Sequence, residues 1–141
     1  GAVTPRDVAR AVTERLVTVL DLTAASLSVV VAAFEDAGGA GDMVEVLGAY
    51  GYDPALVATW RAFPVGAPGP VAEALRTGEP LYFESLDEVD ARYPALDARR
   101  HMRDTPASAV VPLVVHGADA EGGQRVIGAL GLSYGTECAF D

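Results

Sequence analysis

The chain contains 141 residues, of which half are hydrophobic, and its twenty acidic and ten basic residues give a formal net charge of -10. This length and hydrophobic content indicate one folded domain with its own core and make a folded chain the default expectation over a disordered one. All ten basic residues are arginines, and with acids in such excess we expect neither nucleic acid nor an anionic membrane surface as a partner, because both are bound through Lys and Arg that neutralise phosphates.

The apolar runs and the cysteine content bear on the compartment. No apolar run approaches the length of a membrane span, and no basic segment followed by an apolar core opens the sequence. Cys138 is the single cysteine, so no disulfide can form within the chain. We therefore expect a cytoplasmic protein that works in a reducing environment.

The first element is a predicted helix that runs to about Leu20. Thr4 supplies a capping hydroxyl, Pro5 suits the first helical position, and Asp7 places an acid in the first turn. An apolar stripe recurs at helical spacing. The stripe either covers a sheet, which the sequence favours, or pairs with a second copy or relays a signal. Its members are Val8, Val12, Leu16, Val19 and Leu20.

The middle of the chain predicts a hairpin followed by short helices. Two extended runs flank a Gly-Gly-Ala-Gly turn, which is not a phosphate site because no helix start or lysine follows it. Pro70 to Thr77 reads as a helix closed by Gly78, and Ser85 with Glu88 predicts a capping box for another helix. The predicted elements are strands 26–35 and 43–50, a short helix from Asp53, the helix 70–77, a brief strand 80–84, a helix from Ser85 to about Tyr93, and one or two further helical turns before Thr105.

The C-terminal part predicts a long antiparallel hairpin in which the runs 107–116 and 125–134 flank an acidic, glycine-rich turn. Both faces of the first run are apolar, so both sides of the sheet must be covered. Along the second run Leu130, Leu132 and Tyr134 alternate with Ala129, Gly131 and Ser133, which makes one face bulky and the other nearly flat. A flat face admits a closely packed helix or a ligand.

This order of elements predicts an α+β antiparallel sheet with a helical insert on one side. Together with the segments GYDPALVATWRAFPV, PVAEALRTGEPLYFE, ASAVVPLVV and VIGALGLSY, it resembles a GAF domain over most of the chain. The resemblance implies a central antiparallel sheet of about five to six strands with helices on both faces, and a single sensor domain over residues 1–141. The sequence looks closest to the sensory GAF domains of high-GC bacteria, the actinobacteria, which commonly precede histidine kinases or PP2C-type phosphatases.

The family resemblance also bears on the C-terminal end of the sequence. In this family the last strand usually leads through an acidic segment into a long amphipathic helix, whereas the sequence stops at Phe140 and Asp141. We therefore expect a fragment that lacks this helix and the output domain of the full-length chain. Flanking helices of sensory GAF domains usually pair across a two-fold axis, so we expect a homodimer through the N-terminal helix.

Candidate catalytic and metal-binding residues are sparse. Cys138 has no second thiol to resolve an oxidised form, which GAF-like methionine sulfoxide reductases need. His101 and His116 do not make a metal cluster, and we favour solvent-facing histidines over the haem ligation seen in some GAF domains. The cyclic-nucleotide-binding subset carries a lysine-containing signature that this chain cannot contain. We expect no catalytic residues and no metal.

The candidate ligand pocket lies between the sheet and the insert 53–103. Its aromatic and arginine residues could hold a small apolar or anionic ligand. The same residues could simply fill the core, and we favour the core for the aromatic residues. For the arginines we favour exposure to solvent or pairing with Asp97 and Asp104. The candidates are Trp60, Phe63, Phe83, Tyr93, Arg99 and Arg100.

The resemblance implies a non-catalytic domain that senses a small molecule in a signal-transduction protein. The alternative is the effector-binding domain of a transcription regulator of the IclR type, whose fold is similar. An enzyme is a distant third interpretation.

Overall fold

The computed structural model describes residues 3–31, 42–59, 61–96, 105–116 and 124–136. Within these ranges, the chain forms four helices and six strands. In order they are α1 (Pro5–Leu20), β1 (Ala24–Val31), β2 (Met43–Tyr50), α2 (Pro54–Thr59), β3 (Ala62–Pro64), α3 (Pro70–Thr77), β4 (Leu81–Phe83), α4 (Leu86–Arg92), β5 (Ala107–His116) and β6 (Gln124–Tyr134).

Local capping sets the bounds of α1 and α3 as predicted. The Thr4 hydroxyl accepts a hydrogen bond from the Asp7 amide at 3.1 Å, and the Asp7 carboxylate accepts one from the Thr4 amide at 2.9 Å. Gly78 ends α3 with a positive φ of 71°, the left-handed conformation that glycine adopts without strain.

Helix α4 begins differently from the prediction. The Ser85 side chain makes no capping hydrogen bond, and the Glu88 carboxylate instead accepts from the Glu84 amide at 2.6 Å. The predicted capping box is therefore wrong, because Glu88 reaches one residue further back than that motif requires.

The six strands form one antiparallel sheet in the order β3-β2-β1-β6-β5-β4. Both predicted hairpins are present, β1 with β2 and β5 with β6, and β6 lies beside β1 in the centre. The sequence did not predict β3, whose Phe63 pairs with Val44 at the edge of the sheet. The α+β fold with helices on both faces of the sheet is confirmed.

Helix α1 lies on one face of the sheet, over β1 and β2. Its fully buried residues are Ala9 and Thr13, and a Cβ added to Gly48 would lie 2.9 Å from the Ala9 Cβ. The missing side chain at Gly48 thus lets the helix backbone approach the strand closely. The sequence favoured the apolar stripe as the covering face, but the small residues of α1 meet the sheet, while Val8, Val12 and Val19 are exposed.

Helix α3 packs on the opposite face, against β5 and β6. There Val44, Val110 and Ala129 form the main core cluster with Ala74 and Leu75 of the helix. A second cluster joins β4 to α4 and consists of Phe83, Leu86, Val89 and Tyr93. None of the described helices is long and apolar enough to cross a membrane.

Candidate functional site

A cavity of about 380 Å³ lies between the sheet and the segment that carries β3, α3 and the chain after α4. This volume is within the range of small-molecule sites. Strands β1, β5 and β6 supply the floor and the insert supplies the roof. The lining residues are Ser26, Tyr52, Ala62, Phe63, Ala67, Pro68, Gly69, Pro70, Val71, Ala72, Leu96, Thr105, Ser108, Ala109, Val110, Gly131, Leu132 and Ser133.

The floor is the face of β6 that the sequence predicts to be flat. Gly131 stands opposite Ser26 of β1 and Val110 of β5, and Ser133 stands opposite Ser108. A Cβ on Gly131 would lie 2.7 Å from the Ser26 hydroxyl oxygen, closer than real Cβ atoms approach such an atom. Gly131 therefore makes room for the Ser26 side chain, and the small residues at these positions leave the space above the central strands open.

Hydroxyl groups gather at one end of this floor. The Tyr52 hydroxyl and the Ser133 Oγ are 2.5 Å apart and share a hydrogen bond. Burial raises the pKa of Tyr52 above its usual value, so the phenol stays protonated at neutral pH. Next to them, the Ser108 Oγ is buried and has no hydrogen-bond partner within the described part of the chain.

The roof is held in place by Arg76 of α3. Its Nη1 donates to the carbonyl oxygens of Val65, at 2.6 Å, and Ala67, at 2.9 Å. These bonds tie the turn after β3 to the helix that follows it. Gly69, which precedes α3, has a φ of 133° that other residues rarely adopt, so the chain can turn here directly above the cavity.

The structure separates the residues that the sequence proposed for a pocket. Phe63 lines the cavity, whereas Phe83 and Tyr93 lie in the second core cluster with their ring centroids 5.9 Å apart. Trp60, Arg99 and Arg100 lie outside the described residues, as do His101 and Cys138. The serines of the floor were not proposed from the sequence, although the alternation of small residues along β6 was the signal for them.

The hydroxyl of Tyr93 is used outside the cavity. It donates to Glu73 of α3 at 3.0 Å, and Arg92 donates to the same carboxylate through its Nε, at 3.0 Å, and its Nη2. The Arg92 hydrogen bond is the largest influence that lowers the pKa of Glu73. Burial, followed by the hydrogen bond to Glu73, raises the pKa of Tyr93 to about 12. This group ties α3 to the end of α4.

We expect Glu73→Gln to destabilise the fold in a pH-dependent way. The ionised Glu73 carboxylate is more stable in the folded protein than in the unfolded chain. Its contribution to stability is therefore fully present above the usual pKa of 4.5 and is lost as the pH falls through the lower pKa that Glu73 has in the folded protein. Urea unfolding should therefore separate the wild type from the variant at pH 7 and bring them together in acid. A stability difference that stays constant down to the acid limit would contradict this role.

No group of three or more His, Cys, Asp and Glu side chains that could hold a metal occurs among the described residues. His116 is exposed at the end of β5. The cavity lining contains no charged side chain within the described ranges. The arrangement can therefore enclose a small molecule and offer it hydroxyl groups.

Comparison with solved structures places this architecture among known folds. The chain is similar to the GAF domain of a phosphoenolpyruvate-protein phosphotransferase from Coxiella burnetii, with a TM-score of 0.66 and 18% identity over 100% of this chain and 73% of that one. It is similar to the GAF-B domain of DevS from Mycobacterium smegmatis, with a TM-score of 0.58 and 20% identity over 98% and 80% of the two chains. It is also similar to the free methionine-R-sulfoxide reductase of Neisseria meningitidis, with a TM-score of 0.64 and 16% identity over 99% and 68%.

These structural similarities establish the fold, but at such low sequence identity they do not establish an activity. No curated protein sequence matches the chain. The sequence pattern that defines the GAF domain matches residues 2–141, which is nearly the whole chain. The chain therefore belongs to the GAF domain family, a family of sensory and regulatory domains in signalling proteins.

Proposed function

We propose that this chain is a non-catalytic domain that binds a small molecule in the cavity and passes the bound state to an output domain of a longer signalling protein. The observation that carries the proposal is the cavity of about 380 Å³ on the flat face of β6. A well-packed domain leaves few voids larger than a water molecule, so a cavity of this size above the central strands indicates a site for a bound ligand.

A route from the cavity to α1 supports the signalling part of the proposal. The segment from Tyr52 to Phe63 has both ends in the cavity lining. Its middle, at Val57 and Ala58, lines a smaller cleft together with Arg6 of α1. Arg6 also donates to the Val46 carbonyl and pairs with Glu45 of β2. A ligand that shifts this segment would thus act on contacts of α1.

The finer parts of the proposal rest on the family resemblance. A histidine kinase or PP2C-type phosphatase as the output domain, and a cytoplasmic location, are proposed on that basis. The alternative is an effector-binding domain of a transcription regulator of the IclR type. The neighbouring gene sequence separates the two, since a kinase or phosphatase downstream supports the first and a helix-turn-helix upstream supports the second.

Native mass spectrometry of the purified chain tests the binding role. We expect a species heavier than the protein by the mass of one small molecule, which is released on denaturation. Ala67→Phe should remove this species, because Ala67 lines the cavity and a phenyl ring there takes up ligand space. Ala91→Phe is the matched control, since Ala91 is exposed on α4 and does not line the cavity.

Two results would contradict the proposal. If Ala67→Phe and Ala91→Phe retain the small molecule equally, the ligand is bound elsewhere. If the wild type carries none and gains no thermal stability from a bacterial metabolite extract, the cavity has no ligand, because bound ligand at 100 times its Kd would add about 2.7 kcal/mol.

A further inference from the structure

We propose that the ligand is an uncharged, largely apolar molecule whose polar group sits against Gly131, between the hydroxyls of Ser26 and Ser108. This inference rests on the proposed function, because it concerns the same cavity. It goes further by giving the chemical class of the ligand and the residues that orient it.

The charge of the ligand follows from what faces the cavity. No described lining residue is acidic, basic or histidine, and the walls are apolar through Phe63, Val71 and Leu96. An ionised ligand would lose its hydration there without gaining a counter-ion from the described lining residues, which costs far more than burying a neutral group. The net charge of -10 opposes an anion further. An anion held by Arg99 and Arg100 is the competing outcome.

The polar anchor follows from two features of the floor. Ser108 is 4% exposed, and its Oγ is buried without a partner among the described residues, which is an unfavourable state for a hydroxyl. Gly131 has no side chain to cover the Ser26 hydroxyl, whose oxygen would lie only 2.7 Å from a Cβ at that position. A carbonyl or hydroxyl group of a ligand that packs on Gly131 can reach Ser26, and a change of the Ser108 side chain to another staggered rotamer turns a second hydroxyl toward it.

The hydrogen-bonded hydroxyls of Tyr52 and Ser133 lie at the polar end of the cavity. These two hydroxyls share a hydrogen bond with each other at 2.5 Å. Ser108 stands directly opposite Ser133 on the paired strand, so the hydroxyl that has no partner among the described residues lies next to the paired ones. The rest of the lining offers mainly apolar side chains to the body of the ligand.

Three probes of similar shape test the class by ligand-observed NMR and calorimetry at pH 7: 2-naphthol, 2-naphthoate and 2-methylnaphthalene. We expect 2-naphthol to bind best. The anion should bind at least about tenfold more weakly because of its desolvation, and 2-methylnaphthalene about threefold to tenfold more weakly because it makes no hydrogen bond.

Ser108→Ala and Gly131→Ala should each remove the preference for 2-naphthol over 2-methylnaphthalene. Ser108→Ala should do so without lowering the melting temperature, because it removes a hydroxyl that has no partner among the described residues. Ser85→Ala and Gly66→Ala are the matched controls, since the Ser85 side chain makes no capping bond and a Cβ on Gly66 would meet nothing within 4 Å.

Three outcomes would overturn the inference. These are tighter binding of 2-naphthoate than of 2-naphthol, an unchanged preference in both floor variants, and failure of both 2-naphthol and 2-naphthoate to bind at millimolar concentration. The proposed sensing role is judged separately by native mass spectrometry, because a co-purified anion would leave that role standing while it removes the neutral class.

Discussion

Phe83→Ala should lower the free energy of unfolding by about 3–5 kcal/mol, the usual cost of emptying a buried phenylalanine site. Phe83 is 3% exposed and packs with Leu86, Val89 and Tyr93, so the surrounding side chains cannot easily close the space. Because total stabilities are about 5–15 kcal/mol, the variant should unfold at much lower urea concentration than the wild type. Urea unfolding followed by circular dichroism measures the difference.

Val115→Ala is the control for this substitution. Val115 also lies on a strand but is 43% exposed, so its truncation should change stability by no more than about 0.5 kcal/mol. The experiment also decides between two roles for Phe83. A ligand contact with little structural importance would leave Phe83→Ala nearly as stable as the wild type and would weaken ligand binding instead.

Much of the fold could be predicted because its signals are local. The capping residues Thr4 and Asp7 and the terminal Gly78 set helix ends through contacts within a few residues. The C-terminal hairpin could be predicted because β-branched runs on either side of a glycine-rich turn favour pairing with each other. Each of these signals lies within a short segment of the sequence and can be recognised without knowing the rest of the fold.

The features that could not be predicted depend on contacts between distant segments. Strand β3 has three residues and exists because Val44 and Phe63 meet at the sheet edge. The buried face of α1 is set by Gly48, which admits Ala9 at close range, although the apolar stripe of α1 lies elsewhere on the helix. Neither relation is visible in the local pattern of hydrophobic residues.

The candidate site shows the same division. The flat face of β6 could be predicted because Gly131 and Ser133 alternate with larger residues, and the cavity lies on that face. The role of Ser108 could not be predicted, because whether its hydroxyl finds a partner among the described residues is a property of the assembled sheet. Aromatic residues were proposed for the pocket by type alone, which does not distinguish Phe63 in the cavity from Phe83 in the core.

The exposed side of α1 supports the proposed homodimer. Val8, Val12 and Val19 are 50%, 38% and 61% exposed, and they follow one another along one side of the helix. Several exposed apolar side chains on one side of a helix favour a contact with another protein surface. A two-fold pairing of α1 with α1 would cover the stripe on both copies. The net charge of -10 opposes the pairing at low salt, where repulsion between the copies is least screened.

The double variant Val8→Glu with Val12→Glu should convert the proposed dimer to a monomer, because four carboxylates would meet at the contact between the two copies. The fold should be retained, because both side chains are exposed in the single chain. Sedimentation at about 0.15 M salt and above, a range in which surface charges are screened beyond about 8 Å, measures the mass. Arg10→Glu changes the charge of each copy by the same two units at an exposed position about half a helical turn away from the stripe, and it should leave the dimer intact. A wild-type chain that sediments as a monomer at high concentration would disprove the pairing, and unfolding of the Val8 and Val12 variant would show that the stripe belongs to the core.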